Sequence, residues 1–278
     1  MNNGFCTMLD NVRQHSPLIH NITNYVTVND VANVLLAIGA SPIMSDDIGE
    51  VSEITTICSG LCINIGTLNH ITIPSMKEAA GTAARLGHPL LLDPVGAGAS
   101  RLRTKTAEEL LRTAHFTAVR GNISEIRAVF AGQNGTRGVD AAAVDAVTDE
   151  NLPKAEAFAM ECAKRSGCII AVTGAIDLVA DPAACYVIRN GRPEMSRITG
   201  TGCQLSALMT AFLAANPTQM LSAAAAAVSL MGLAGETAWA RMQPGDGNST
   251  YRNRIIDAVC HMTGADLEKG AKYEIHTR

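Results

Sequence analysis

Unbroken apolar runs, each closing on a glycine or a polar residue and each divided from the next by a helix-patterned stretch, constrain this chain most. Residues 61–65 run into Gly66-Thr67. Residues 90–93 end at Pro94, residues 116–119 lead into Arg120-Gly121-Asn122, and residues 168–172 run into Thr173-Gly174. Strands wet on one face alternate polar and apolar side chains, whereas strands covered on both faces are apolar throughout. With helices between them, such strands make a mostly parallel central sheet with helices on both faces, an α/β fold. Residues 41–44 read as a further strand, and 178–180 with 185–188 as a hairpin. Helices are expected at 26–38 (capped by Thr23, Asn24 or Thr27), 73–86 (stopped by Gly87), 106–114, 153–165, 203–215, 222–242 and 249–262. The remainder reads as a polar tail. Residues 132–138 form a polar loop rather than a boundary, so residues 1–278 read as a single domain.

In sheets of this kind ligands sit beyond the carboxyl ends of the strands, where Gly66, Thr67, Asp93, Arg120 and Thr173 all fall. Turn chemistry alone accounts for the glycines; it accounts less well for Asp93 and Arg120. The second informative stretch is Thr199-Gly200-Thr201-Gly202-Cys203-Gln204-Leu205, just before an apolar helical run. Its glycines let backbone N–H groups approach a ligand closely. A helix N-terminus attracts an anion such as phosphate and lowers the pKa of a cysteine placed there.

Glu125 lies one helical turn after Asn122, which suits a capping box. The same carboxylate, with Asp93, suits Mg²⁺, a cation that needs only one or two carboxylates plus substrate phosphates. Arg120 has the planar donor fork that grips phosphate; a salt bridge to Glu125 is the plainer reading. Thr173 offers a hydroxyl to a nucleotide phosphate or serves the turn. Asp93-Pro94-Val95-Gly96-Ala97-Gly98-Ala99-Ser100 is a partial dinucleotide fingerprint with Arg101 in place of its third glycine, and there is no P-loop. His20 reads as a structural histidine, the other six as surface or loop residues. Met44 is a core filler or a pocket wall for a soft heterocycle.

A net charge of −4 without a basic stripe, and an aromatic content of 4%, point away from nucleic acid. No uninterrupted apolar segment reaches the length of a membrane span, and residues 223–235 read as a buried helix. The N-terminal stretch, with Asp10, lacks the form of a secretory signal. The expected location is cytoplasmic. Cys6, Cys58, Cys62, Cys162, Cys168, Cys185, Cys203 and Cys260 contain no CxxC pair and read as free thiols.

Together these segments resemble the hydroxyethylthiazole kinase family of the ribokinase-like superfamily. The resemblance runs from Pro17-Leu18-Ile19-His20-Asn21-Ile22-Thr23-Asn24 through residues 35–44, Asn64-Ile65-Gly66-Thr67-Leu68, residues 92–98, residues 120–126 and Val172-Thr173-Gly174 to Thr199-Gly200-Thr201-Gly202-Cys203. Sugar and pyrimidine kinases of the superfamily carry aspartate as the base where this chain has Cys203. The resemblance implies a ribokinase-like fold and an ATP-dependent phosphorylation of 4-methyl-5-(2-hydroxyethyl)thiazole in thiamine biosynthesis. It implies that Cys203 assists deprotonation of the primary hydroxyl, and that Met44 and Gly200 contact the thiazole. Asn24, Gly66 and Thr67 would line the alcohol pocket. Arg120, Thr173 and Gly202 would face ATP, and Asp93 and Glu125 would organise Mg²⁺. It further implies a homotrimer with the substrate pocket at subunit interfaces. The segment 244–251 departs from the family's tighter turn.

Competing readings are a hydroxymethylpyrimidine kinase on the same scaffold, a cysteine hydrolase pairing Cys203 with His20, and a nucleotide-binding module without turnover.

Overall fold

The computed structural model describes residues 4–131 and 146–277, so the expected loop at 132–138 lies outside the described residues. The apolar runs do form strands: β1 (Leu18–Ile22), β2 (Ser41–Met44), β3 (Gly60–Asn64), β4 (Leu90–Asp93), β5 (Ala118–Gly121), β6 (Ile169–Val172), β7 (Asp177–Ala180), β8 (Ala184–Ile188) and β9 (Tyr273–Thr277). They make one nine-stranded sheet in the order β2-β1-β3-β4-β5-β6-β7-β8-β9. The pairs from β2 to β6 are parallel. β7, β8 and β9 add antiparallel strands at one edge.

The helices are α1 (Phe5–His15), α2 (Val28–Ile38), α3 (Val51–Ile57), α4 (Thr72–Leu86), α5 (Arg101–Thr113), α6 (Ile123–Ala131), α7 (Leu152–Ser166), α8 (Thr201–Ala215), α9 (Met220–Ala240), α10 (Asn248–His261) and α11 (Gly264–Gly270). Successive strand residues point to opposite faces, and the two apolar layers follow that alternation. Cys62 and Leu91 join the layer built from α1, α2, α8, α9 and α10. Leu61, Ile63, Leu90 and Leu92 join the layer built with α4, α5, α6 and α7. Both layers are closed, which is why the strands carry no polar face.

α9 has the length and hydropathy of a membrane span, yet 67% of that window is buried inside the protein. Ala223–Val228, Leu230 and Met231 pack into the first layer. Burying a Val, Leu or Met side chain is worth about 1.5–3 kcal/mol, so α9 has its apolar surface satisfied by the protein itself.

Several elements escaped the sequence reading. α1, β1 and α3 were not expected, and α5 begins at Arg101 because Ser100 caps it, accepting from Arg103 N–H at 3.3 Å. The expected polar tail is instead α11 and β9. A capping box between Thr263 and Asp266 starts α11. β9 lies at the sheet edge with most of its side chains exposed, so it has no apolar pattern to read. It is held by pairing with β8 and by Tyr273 stacking on Phe5, 4.6 Å between ring centres. All eight cysteines are free thiols.

Candidate active site

Because the strands from β1 to β6 run parallel, their carboxyl ends open on one side, and the polar residues there meet the N-terminus of α8. Between them lies a cavity of about 810 Å³. Asn24, Gly66, Thr67, Arg120, Glu125, Thr173, Gly200, Gly202 and Cys203 line it. Nine of the eleven expected site residues thus converge. The other two lie elsewhere. Asp93 is fully buried and does not line the cavity, although its Oδ2 is 3.6 Å from Arg120 Nη1. Met44, at the end of edge strand β2, packs partly against the core and does not line this cavity.

The turn before α8 is built for close approach. Gly200 has φ +94°, a region side-chain-bearing residues avoid, and a Cβ there would sit 2.6 Å from Thr27 Cγ2. The first helical bond runs from Gln204 N–H to Gly200 O at 2.9 Å. The N–H groups of Thr201, Gly202 and Cys203 therefore fall outside the helix ladder, and all three residues line the cavity at the positive end of the helix dipole.

Arg120 lies across that turn. Its Nη2 donates to Thr173 Oγ1 at 2.5 Å, and its Nη1 is 3.6 Å from Asp93 Oδ2. The expected alternative, a salt bridge to Glu125, is not made. Glu125 instead completes the capping box: Asn122 N–H donates to Glu125 Oε2 at 2.9 Å and Glu125 N–H to Asn122 Oδ1 at 2.8 Å. Glu125 Oε1 also accepts from Gly96 N–H at 2.8 Å, which anchors the glycine loop after β4. That loop is a wall support and not a dinucleotide fingerprint.

A Cβ on Gly202 would lie 2.5 Å from Arg120 Nη1. The obstacle is the far end of a flexible side chain, so Gly202→Ala is expected to fold and to push the guanidinium off its place. kcat should drop by about tenfold or more, with the melting temperature within a few degrees of the parent. Steady-state kinetics beside a thermal melt decide it; unchanged kcat would detach Arg120's position from turnover.

Cys203 is half-buried. Its Sγ accepts from Asn24 Nδ2 at 3.0 Å and from Asn64 Nδ2 at 3.2 Å. The sequence expectation of a lowered pKa is reversed here. Burial is the largest influence and raises the thiol pKa, and the Asp93 charge raises it further; Thr27, Asn24 and Arg120 pull the other way. Burial next to a carboxylate thus keeps Cys203 a thiol at neutral pH.

Asp93 accepts from Asn64 Nδ2 at 2.7 Å and Ser206 Oγ at 2.8 Å, both on Oδ2. Burial pushes its pKa up to about 6 against the pull of Arg120. Its Oδ1 is buried without a hydrogen-bond partner. Asp177, which the sequence did not single out, also lines the cavity. It accepts from Gly174 N–H at 2.8 Å, and burial pushes its pKa up to about 7. Asn64, Ser206 and Thr27 were likewise missed as site residues. Their signal was faint: a polar residue closing an apolar strand, or one inside an apolar helix.

The donor set suits a hard divalent cation carried with phosphates. Glu125 lines the cavity, and buried Asp93 keeps an unpartnered carboxylate oxygen. No group of three or more His, Cys, Asp or Glu residues able to hold a metal occurs among the described residues. A cation here would take much of its coordination from substrate and water, as Mg²⁺ does.

His20 has no part in this chemistry. It is fully buried, with Nε2 2.8 Å from the Ser45 carbonyl and Nδ1 3.0 Å from Thr55 Oγ1. Among the described residues no histidine hydrogen-bonds Cys203, which removes the base a cysteine hydrolase needs.

The sequence matches the hydroxyethylthiazole kinase family over residues 9–265. The chain belongs to that family. The hydroxyethylthiazole kinase of Clostridium acetobutylicum is 56% identical over 266 residues, covering 96% of this chain and 97% of that protein. That of Desulfovibrio desulfuricans is 44% identical, covering 95% of each. A solved hydroxyethylthiazole kinase structure from Pyrococcus horikoshii OT3 superposes with a TM-score of 0.86 at 33% identity, over 98% of both chains. Pyridoxal kinase from Staphylococcus aureus, solved with AMP-PCP and pyridoxal, shares the fold alone: TM-score 0.61 at 13% identity, over 94% of this chain and 98% of that one. The fold is thus ribokinase-like, and membership of the kinase family makes the chain an enzyme.

Proposed function

We propose that the chain transfers the γ-phosphoryl group of ATP to the primary hydroxyl of 4-methyl-5-(2-hydroxyethyl)thiazole, within thiamine biosynthesis or salvage. One observation carries this reading: the residues at the start of α8, Arg120 and Cys203 line one cavity, with the Arg120 guanidinium close over Gly202. A new O–P bond forms at the alcohol oxygen, the β–γ bridging P–O bond breaks with ADP leaving, and the hydroxyl proton, its O–H oriented by the Cys203 sulfur, passes to solvent. Such transfer depends mainly on positioning and charge stabilisation. The N–H groups of residues 201–203, that of Gly202 among them, meet the phosphoryl oxygens. Arg120 and Thr173 hold the phosphates. Asn24, Gly66 and Thr67 border the alcohol, with Gly200 against the ring. Pro193, Met195, Val228 and Met231 give the cavity apolar lining suited to the nucleotide base.

Mg²⁺ would be held by Glu125, with Asp93 buried nearby, and would supply charge neutralisation to the phosphates. Met44 lies outside the cavity of one chain. Together with exposed Tyr25, Val26, Leu36 and Ile48, this supports a homotrimer in which Met44 completes a neighbouring subunit's thiazole site. One continuous sheet supports a single kinase domain over residues 1–278, and the metabolic kinases it resembles support a cytoplasmic enzyme.

Cys203→Ala is expected to fold normally and to lose about tenfold to a hundredfold in kcat, since a loose transition state needs little base strength. Cys203→Asp should keep substantial activity, because the Asn24 and Asn64 amides can serve a carboxylate. An inert Cys203→Asp protein that still binds ATP and substrate would remove the sulfur from the proton path. Substrate choice is tested by coupled ADP release with hydroxyethylthiazole and hydroxymethylpyrimidine side by side. Turnover of the pyrimidine at the higher kcat/KM would overturn the thiazole assignment.

A further inference from the structure

Asn64 closes β3, is 1% exposed, and uses every hydrogen-bonding position of its side chain on residues of the site. Its Oδ1 accepts from Gly66 N–H at 2.9 Å and from Asn24 Nδ2 at 3.2 Å. Its Nδ2 donates to Asp93 Oδ2 at 2.7 Å and to Cys203 Sγ at 3.2 Å. A backbone N–H can meet only an acceptor, and an ionised carboxylate only a donor. A flipped amide would set its oxygen against Asp93 and its NH₂ against the Gly66 N–H. The chain therefore dictates the orientation, and one amide hydrogen always points at the sulfur.

We propose that Asn64 is a positioning residue that holds the Cys203 sulfur at the acceptor-alcohol end of the cavity and couples it electrostatically to Asp93. The inference rests on the kinase reading above. Asn24 supplies the second donor to the sulfur, but its own amide is oriented through Asn64 Oδ1 and through Thr27 Oγ1, which donates to Asn24 Oδ1 at 3.1 Å. Asn64 is thus the link shared by the thiol, the buried carboxylate and the Gly66 turn. Without its NH₂ the thiol keeps one donor, and Asp93 keeps Ser206 and Arg120.

The test is a cycle of Asn64→Ser and Asn64→Asp, each made with and without Cys203→Ala. Asn64→Ser is expected to lower kcat by about tenfold or more with Cys203 present and by less than about twofold in the Cys203→Ala background, at unchanged KM for ATP in both. Equal losses in the two backgrounds, or no loss, would overturn the proposal, because a merely structural asparagine acts without regard to the thiol. If Asn64→Ser lacks a cooperative melt, the isosteric Asn64→Asp carries the cycle. A second readout needs no turnover: the pH profile of iodoacetamide alkylation at Cys203, followed by peptide mass spectrometry. Asn64→Ser removes a donor from the sulfur and adds no charge beside Asp93, so its profile should move up by about half a pH unit or more. An unmoved profile would overturn the coupling. A parent protein that consumes no ATP with the thiazole alcohol would instead count against the kinase reading, and the alkylation profile would still decide Asn64.

Discussion

Arg120→Met is expected to lose roughly a thousandfold in kcat while remaining folded, with a smaller rise in KM for ATP. An arginine placed on a transferring phosphoryl group is worth about 10³-fold or more. Arg120 is fixed at one end by Thr173 and at the other by Asp93, and Gly202 leaves it room to lie over the helix end. The other arginine lining the cavity, Arg192, is engaged by Glu194 and lies over Trp239, so it offers no substitute. The fold survives because Asp93 has an escape. Deprived of its cation, the buried carboxylate takes up a proton rather than remain charged. Arg120→Lys keeps the charge and loses the fork, and should fall between parent and Arg120→Met. Kinetics on both variants beside melts at pH 5.5 and pH 8 check this. Near-parental kcat in Arg120→Met would remove the guanidinium from the transfer step.

Asp93→Asn is expected to abolish most turnover and yet to gain stability relative to the parent as pH rises. Its folded pKa of about 6 lies above the ordinary 3.8. Between those values the folded protein binds more protons than the unfolded chain, so parental stability falls as pH rises through this window and stays reduced above it. At about 1.4 kcal/mol per pKa unit, the ceiling is about 3 kcal/mol. An asparagine oxygen can still accept from Asn64 and Ser206. The lost pairing with Arg120 is a constant offset, because arginine does not titrate in this range. The difference in melting temperature, variant minus parent, should therefore grow from pH 4 to pH 7 and then level off. A flat difference would place the Asp93 pKa near its ordinary value. The site thus holds a carboxylate at the expense of fold stability, as expected of a group kept for chemistry.

The sheet was legible because β3, β4, β5 and β6 are covered on both faces and carry that fact in their composition. β9 and α11 were not, because their stability comes from edge pairing, a capping box and one aromatic stack, none of which leaves an apolar period. Polar residues at strand ends pointed to Arg120 and Thr173, and the separate glycine-rich stretch at 199–203 to the α8 turn, all of which line the cavity. The lowered cysteine pKa was misjudged because a helix end is visible in sequence, whereas the burial of Cys203 and its nearness to Asp93 arise from β4 and α8, which only the folded sheet brings together. Asn64 was hidden for the same reason. Its four partners come from the turn just after β3 and from three distant segments.

The account rests on a phosphoryl cradle at the start of α8 facing an alcohol beside Cys203. Its most direct measurement is identification of the product after incubation with ATP, Mg²⁺ and hydroxyethylthiazole, for the parent and for Arg120→Met. The predicted result is a phosphate monoester on the hydroxyethyl oxygen in step with ADP, sharply reduced in the variant. ADP released at the same rate without the alcohol, or the monoester formed equally well by Arg120→Met, would contradict it.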